Sequence, residues 1–484
     1  MVTGIIAFVF SIILSRELGA EGLGLYSLIM PVYGLLLCLT ADGLVTAISK
    51  ISAVYSSKRD ITNLNKTLHT VFIFILLWVV SVALLVFLFN TAIALHIVRD
   101  ARAAGALAVL APALVFVPLS SIIKGYFYGL GNYKVTASVD ILEKLLRVAI
   151  LTGTIAVLAL SDVKSTVSAA CFALVAGELF SLLILYTCYR IQRKKLTGLK
   201  CKPKTRIQLL FDVLVISLPL CVNGILSSIL NTISTLILPR RLIAAGFSYS
   251  DALAMIGKFG GMALNIAYLP FIVIGSMLTV LVPELSLSMS KKDIWSSEKR
   301  IAQVLKLACA IGVSTAIVCL ILPDMLGQLF YKREDLGEMI KFSALICLFT
   351  FVSSPTFGIL NALGRQNVLL KNSLIVSFES LVLIFVLAGI PGMNIYGYGL
   401  SMIITSLTAL IINIKDIRKI CEIKIGMQDI LTIMMAGIAA YLFSFIASRL
   451  FMEAAPALRA AIVVMASFGT VLGLIGLAGK YRIT

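Results

Sequence analysis

The sequence predicts an all-α polytopic membrane protein with about fourteen transmembrane helices. Its mean hydropathy is +1.05, and 60% of its residues are hydrophobic whereas 13% are charged. Soluble globular domains are roughly half apolar and about a quarter charged. Apolar runs of about 20 residues, the length that crosses a hydrocarbon core of ~30 Å, recur along the whole chain. These observations place the chain in a lipid bilayer, and its short connections leave no room for a soluble catalytic domain.

The apolar runs follow one another in a regular order. The predicted spans lie near residues 2–15, 25–49, 68–90, 104–128, 135–160, 166–189, 209–237, 252–283, 303–323, 339–363, 368–389, 396–414, 430–449 and 457–478. The predicted domains are a six-helix half at 1–190, a basic linker at 191–206, a second six-helix half at 207–415, and two additional helices at 416–484. Because the number of spans is even, both termini are predicted to lie on the same side of the membrane.

The basic residues indicate which side that is. The chain has 41 Lys and Arg residues against 23 Asp and Glu residues, a net charge of +18. Most of the basic residues fall in the connections that share a side with the termini, and the longest of these is the basic loop around 189–206. Basic loops remain in the cytoplasm. The excess positive charge therefore predicts cytoplasmic termini, and it gives no reason to expect nucleic-acid binding.

An internal sequence repeat predicts that the two halves are related. "SSIIKGYFYGLGNYKV" (120–135) and "SSPTFGILNALGRQNV" (353–368) share Ser-Ser, Gly, Leu-Gly and Val at a constant offset. The two segments end spans that are six apart, which predicts parallel halves related by an axis along the membrane normal. The alternative is chance, because Leu-Gly turns commonly follow helices.

Charges inside predicted spans are candidate functional residues, because an isolated charge at the bilayer centre costs about 2.5–3.5 kcal/mol. Asp140, Glu143, Lys144 and Arg147 form one helical stripe, in which Asp140 can pair with Lys144 and Glu143 with Arg147. Two interpretations remain open for Lys144 and Arg147. They line a polar cavity, or they belong to a self-neutralising stripe whose long side chains reach the interface.

A second set of cations lies near the predicted outer ends of spans. Arg16 ends the first span, Arg240 and Arg241 end the seventh, and Lys258 lies two turns into the eighth. In opposed halves these residues could converge on a central, positively charged cavity. The alternative is that they reach the outer interface.

Asp42 is the candidate for ion coupling. It precedes Gly43, and a helix broken at this Asp-Gly pair would leave polar backbone facing a cavity. The Asp42 carboxylate could then bind an ion, or it could simply pair with a cation.

Other site types find little support in the sequence. There is no G-x-x-x-x-G-K-[ST] loop for ATP, and the two histidines, His69 and His96, lie at opposite ends of one span. None of the nine cysteines falls in a predicted outer loop, so no disulfide framework is expected. We therefore expect no cofactor, no metal site and no catalytic residue.

Three stretches carry a resemblance to a known family: "SRELGAEGLGLYSLIMPV" with "ADGLVTAISKISA" near the start, and "ILPRRLIAAGFSYSDALAMIGKFGGMALNIAYLPFIVIGSMLTVLVPELS" later. They resemble the stage V sporulation protein B group of polysaccharide transporters, whose superfamily includes lipid II flippases, O-antigen-type flippases and multidrug/toxin extruders. The resemblance implies two pseudo-symmetric six-helix lobes around a central V-shaped cavity, two extra helices, and alternating access in the bacterial cytoplasmic membrane.

The resemblance also implies a substrate and its binding residues. An undecaprenyl-pyrophosphate-linked sugar would move from the inner to the outer leaflet, and Arg16 matches the region of the family's cavity arginines. Arg240, Arg241 and Lys258 match by segment only. Gly19, Gly22 and Gly24 are expected to permit a tight turn after Arg16.

The predicted function is therefore a flippase for a lipid-linked saccharide, and not an enzyme. The alternative in the same fold is an ion-coupled multidrug/toxin extruder, which would favour an acidic cavity. An intramembrane glycan polymerase would need catalytic residues on a sizeable outer loop, and no such loop is predicted. The expected partners are the lipid-linked sugar, membrane lipids and a monovalent cation, with the protein acting as a monomer.

Overall fold

A computed structural model describes residues 2–158, 162–195, 204–290, 293–423 and 426–480. All regular elements within these ranges are helices. Backbone N–H and C=O groups have no water to bond to in hydrocarbon, and a helix satisfies them within one segment. The all-α prediction is confirmed.

Contacts group the chain into two units, Val2–Leu236 and Ile237–Thr484. The first unit contains eight helices and most of a ninth, which continues across the boundary. They are α1 (Val2–Ala41), α2 (Leu44–Ser57), α3 (Ile61–Leu88), α4 (Asn90–Ala92), α5 (Ala103–Leu110), α6 (Ala113–Gly129), α7 (Tyr133–Leu158), α8 (Val163–Lys195) and α9 (Arg206–Ala244). A π-helical segment, Ile93–Val98, follows α4.

The second unit contains the end of α9 and ten further helices. They are α10 (Tyr249–Ile256), α11 (Leu264–Tyr268), α12 (Phe271–Ser290), α13 (Ile294–Ile321), α14 (Pro323–Tyr331), α15 (Gly337–Ala362), α16 (Gln366–Leu387), α17 (Asn394–Ile417), α18 (Met427–Leu450) and α19 (Pro456–Lys480). A π-helical segment, Gly257–Ala263, joins α10 to α11. The predicted linker at 191–206 falls partly outside the described residues, and the predicted domain limits stay predictions.

The number of membrane spans differs from the predicted fourteen. Within the described ranges, eleven helical runs are long and apolar enough to cross a membrane, or twelve if a pair bent by 61° counts as one span. One of these runs, Val2–Ser57, contains the first two predicted spans. The fifth predicted span, α7, is not among them because the charged stripe interrupts its apolar sequence. The count of fourteen is therefore not confirmed.

The core of the first unit lies where α2, α3 and α6 meet. Ile48, Leu64, Tyr126 and Phe127 are fully buried there. A Cβ added to Gly129 of α6 would lie 2.5 Å from the carbonyl oxygen of residue 49 on α2. Glycine at this position therefore allows the two helices to approach closely, as small residues do between membrane helices.

The two similar segments, 120–135 and 353–368, end in the same local structure. After α6, Gly131 has φ 72°, and after α15, Gly364 has φ 71°. The amide of residue 131 donates to Tyr128 O, and the amide of residue 364 donates to Asn361 O, each at 3.0 Å. These positions are related by the offset seen in the sequence, and both helices end on the same left-handed glycine cap.

The repeat extends to the preceding helices. Helices α3 and α13 each contain 28 residues, and each begins after an aspartate whose carboxylate accepts from a backbone N–H in the first turn. The donors are the amides of Asn63 and Ser296, both at 3.0 Å from Asp60 and Asp293 respectively. This agreement at helix ends favours a duplicated half over chance recurrence of Leu-Gly.

Candidate functional site

Arg16 lies on α1 close to a break in that helix. Gly19 has φ 67° and ψ −176°, a conformation that glycine adopts and other residues essentially do not. The helix is therefore kinked at Gly19, and Gly22 and Gly24 are buried in the helical part of α1 that follows; the predicted tight turn between two spans stays a prediction. The Arg16 side chain is exposed at the protein surface.

The chain also breaks at Asp42, as predicted. Helix α1 ends at Ala41, and Gly43 is left-handed with φ 75°. The Gly43 amide donates to Asp42 Oδ1 at 3.0 Å. The other carboxylate oxygen, Oδ2, lies where a Cβ on Gly224 of α9 would sit. Asp42 is thus half-buried against α9, and its role in ion coupling stays a prediction.

The charged stripe on α7 is part of a network that joins three helices. Arg147 donates to Glu143 at 2.6 Å and to Glu178 of α8 at 2.5 Å, through the same nitrogen. Lys124 of α6 pairs with Asp140 at 2.8 Å. The Glu143–Arg147 pair predicted from the spacing is therefore confirmed.

The predicted Asp140–Lys144 pair is wrong, because Asp140 pairs instead with the ammonium group of Lys124 on α6. Lys144 makes no ion pair with any described residue, although its charge lies near Glu178. Together the six groups carry three positive and three negative charges. This arrangement fits the self-neutralising interpretation better than a cationic cavity lining, and a substrate-binding role for Lys144 and Arg147 stays a prediction.

Arg240 and Arg241 have different environments at the end of α9. Arg240 is exposed. The Arg241 guanidinium stacks over the Phe385 ring of α16, with its carbon 4.3 Å from the ring centroid. A Cβ on Gly389 would clash with the same guanidinium, and Arg241 Nε is buried without a hydrogen-bond partner among the described residues. Arg241 is thus held by packing and a cation–π contact.

Lys258 is paired with an acidic residue of a connecting loop. Its ammonium nitrogen lies 2.7 Å from Asp335, which also accepts two hydrogen bonds of 2.8 Å from Arg333. Hydrogen bonds from the Arg333 guanidinium, aided by Lys258, hold the pKa of the Asp335 carboxyl well below its usual range. We call Lys258, Arg333 and Asp335 the second-half clamp.

The first half contains a similar group, which we call the first-half clamp. Arg102 donates to Asp100 through Nε at 3.1 Å and to Glu21 of α1 at 2.7 Å. At the repeat offset, positions 100 and 102 correspond to positions 333 and 335. The order is Asp then Arg in the first half and Arg then Asp in the second half. In each half, a connecting loop thus holds a charged side chain of a preceding helix. The side chain held in the first half is the Glu21 carboxylate, whereas the side chain held in the second half is the Lys258 ammonium group.

Sequence reasoning did not combine the residues of the clamps or the three-helix network into sites. Glu178 and Lys124 were visible as charges within spans, but their partners lie on other helices. The only signal in the sequence for the clamps was the pair of acidic and basic residues two positions apart at 100–102 and 333–335.

The contribution of the second-half clamp to stability is expected to depend on pH. Because the folded pKa of Asp335 is lowered, its stabilisation is complete above the unfolded pKa of about 3.9 and is lost as the pH falls through the folded pKa. At pH 7, Asp335→Asn should lower stability by less than about 1 kcal/mol, since the carboxylate is partly exposed. The difference from wild type, measured as the midpoint of thermal unfolding, should shrink below about pH 4. A difference independent of pH would contradict this account.

Comparison with known proteins identifies relatives of this chain. Residues 1–289 match the family described as Polysaccharide biosynthesis protein. Stage V sporulation protein B of Bacillus subtilis (strain 168) is 27% identical over 436 residues, which cover 89% of this chain and 83% of that protein. Sporulation protein YkvU of the same strain is 23% identical over 82% of this chain and 87% of that protein.

Solved structures give the same result at the level of fold. The lipid II flippase MurJ in an inward closed conformation matches with a TM-score of 0.71 and 13% identity, over 100% of this chain and 98% of that chain. An inward-facing multidrug resistance MATE family transporter of the MOP superfamily matches with a TM-score of 0.69 and 16% identity, over 86% of this chain and 95% of that chain. The resemblance inferred from the sequence is confirmed, and the chain belongs to the polysaccharide biosynthesis protein family.

Proposed function

We propose that this protein is a flippase that carries an undecaprenyl-pyrophosphate-linked saccharide across the bacterial cytoplasmic membrane by alternating access. The observation that carries the proposal is the position of Arg16. Arg16 is exposed about one helical turn before the glycine-dependent break in α1 at Gly19. A guanidinium binds phosphate oxygens with two parallel hydrogen bonds, which matches a pyrophosphate better than a neutral or cationic cargo.

The other cationic side chains are expected to contribute to substrate binding to different extents. Arg240 is exposed, whereas Arg241 is stacked on the Phe385 ring. Lys258 already shares its charge with Asp335. We therefore propose Arg16 and Arg240 as the main substrate contacts, with smaller contributions from Arg241 and Lys258. Arg147 would act through the stability of the first unit, and a substrate contact by Lys144 stays a prediction.

We further propose that both termini face the cytoplasm and that the protein acts as a monomer. The concentration of basic residues in the connections on that side supports this orientation. The saccharide could be a peptidoglycan precursor, a spore-cortex precursor or another polysaccharide unit.

The proposed function is tested by transport in vesicles. The headgroup is anionic, so an inside-negative potential favours its outward movement by ~2.3 kcal/mol per uncompensated charge for each 100 mV. We expect purified protein to move a fluorescent undecaprenyl-pyrophosphate saccharide outward, faster when the potential is imposed, and without a direct effect of ATP. Vesicles without the protein are the control.

One outcome would favour the multidrug extruder instead. Asp42, half-buried against α9, is the residue that could bind a coupling cation. If a sodium or proton gradient sustains transport while collapse of the potential leaves the rate unchanged, an ion-coupled exchanger becomes the better description. Loss of that coupling in Asp42→Asn would then identify the ion site.

A further inference from the structure

A cavity of about 330 Å³ lies in the first unit between α3, α6 and α8, apart from the residues proposed to bind substrate. Its walls include His69 and Phe72 of α3, Tyr126 of α6, and Tyr189 and Arg193 of α8. Tyr126 and Arg193 lie within the last turns of their helices, and His69 lies in the third turn of α3. The polar end of the cavity is therefore near the membrane surface that we propose to be cytoplasmic.

The polar end contains a hydrogen-bonding group without a partner. Tyr126 is fully buried, and its hydroxyl makes no hydrogen bond with any described residue. A buried hydroxyl without a partner costs about 1–3 kcal/mol. The Tyr189 ring packs edge-on against Tyr126 at 5.1 Å, and Tyr189 lines the cavity together with Arg193. Arg193 and Tyr126 both line the cavity, so a cation and an unused donor face the same space.

The other end of the cavity opens toward a lipid-facing surface. Ile73 lines the cavity and is 42% exposed, and its neighbours Phe74 and Leu77 are 41% and 67% exposed. Large apolar side chains exposed along a transmembrane helix contact the acyl chains of the bilayer. The cavity therefore presents a cationic, hydrogen-bonding end close to the membrane surface and an apolar end within the hydrocarbon region.

We propose that this cavity binds an anionic phospholipid of the surrounding leaflet. The headgroup phosphate accepts hydrogen bonds from Arg193 and from the Tyr126 hydroxyl, and one acyl chain extends along Phe72 and Leu76. Charge complementarity selects an anionic headgroup, and the open apolar side selects a lipid over a water-soluble phosphate. The volume holds a phosphate and the first part of one acyl chain, with the rest of the lipid in the bilayer. This inference is independent of the proposed transport function.

The proposal is tested by lipid titration of the full-length protein. Protein in phosphatidylcholine nanodiscs receives increasing fractions of phosphatidylglycerol, and the thermal unfolding midpoint and the retained lipids, by native mass spectrometry, are recorded. We expect phosphatidylglycerol to raise the midpoint and to remain bound. Arg193→Gln and Tyr126→Phe should weaken this binding, by about tenfold for Arg193→Gln, because a hydrogen bond to a charged group is lost.

Matched controls separate a specific site from general surface charge. Arg190 lies one turn earlier on α8, is exposed, and does not line the cavity, so Arg190→Gln should retain the effect of phosphatidylglycerol. Arg193→Lys should retain part of it. The proposal would be overturned if Arg190→Gln and Arg193→Gln lost the effect of phosphatidylglycerol equally. It would also be overturned if additional phosphatidylcholine raised the unfolding midpoint as much as phosphatidylglycerol does. An Arg193-dependent shift produced by inorganic phosphate would overturn the assignment to a lipid.

Discussion

Replacement of Arg147 with methionine is expected to destabilise the first unit by about 3–5 kcal/mol. One nitrogen of Arg147 binds both Glu143 and Glu178, and both carboxylates are largely buried. Without the guanidinium, two negative charges would remain close together in a region of low dielectric constant. The measurement is the thermal unfolding midpoint of purified protein in detergent, together with its abundance in membranes.

The same helix supplies a matched control. Lys144 makes no ion pair with a described residue, so Lys144→Met should change stability far less than Arg147→Met. Removing one carboxylate should also restore part of the loss, and Arg147→Met/Glu178→Gln should be more stable than Arg147→Met alone. If Lys144→Met and Arg147→Met have equal effects, the network does not stabilise the first unit in the way its geometry indicates.

Replacement of Arg16 with alanine is expected to reduce transport of the undecaprenyl-pyrophosphate saccharide by at least about tenfold, at normal protein abundance. A bidentate, charge-assisted contact contributes more than a single neutral hydrogen bond, and alanine removes it completely. Arg16→Lys should restore activity only in part, because an ammonium group lacks the planar fork of a guanidinium. The measurement is the initial rate in the vesicle assay.

An arginine outside the two predicted six-helix halves is the control for Arg16. Arg449 ends α18 on the side of the membrane predicted for Arg16, and it stacks over Phe445 at 5.4 Å. Arg449→Ala should leave the transport rate close to that of wild type. Full activity of Arg16→Ala would show that Arg16 only extends to the interface, and equal losses in both variants would point to a general effect of surface charge.

Several local features were predictable because they depend on residues close together in the sequence. The Asp42-Gly43 break, the irregularity at Gly19 after Arg16 and the Glu143–Arg147 pair each involve groups within about one helical turn. The repeat was also visible, because equivalent helix ends require the same residue types at the same spacing. Comparison of 120–135 with 353–368 thus predicted related halves, and both segments have a left-handed glycine at the helix end, Gly131 and Gly364.

The partners of the charged residues were not predictable from spacing. Asp140 could reach Lys144 on its own helix, but it pairs with Lys124, which α6 brings to 2.8 Å. Lys258 was predicted as a cavity cation, but a loop more than seventy residues later supplies Asp335. The rotation of a helix about its axis and the path of a distant loop decide such pairs, and neither leaves a periodic signal.

The sequence by itself determined that the chain is an all-helical membrane protein with a repeated half and a membrane-embedded set of charges. Hydrophobicity, helical spacing and glycine caps act over short distances, so their effects can be read from neighbouring residues. Only the tertiary structure decided which charged residues pair across helices and which side chains are exposed. Helix packing brings Glu178 to Arg147, places Arg241 on Phe385 and leaves Arg16 exposed, because electrostatic and packing energies depend on distances between helices that are remote in the sequence.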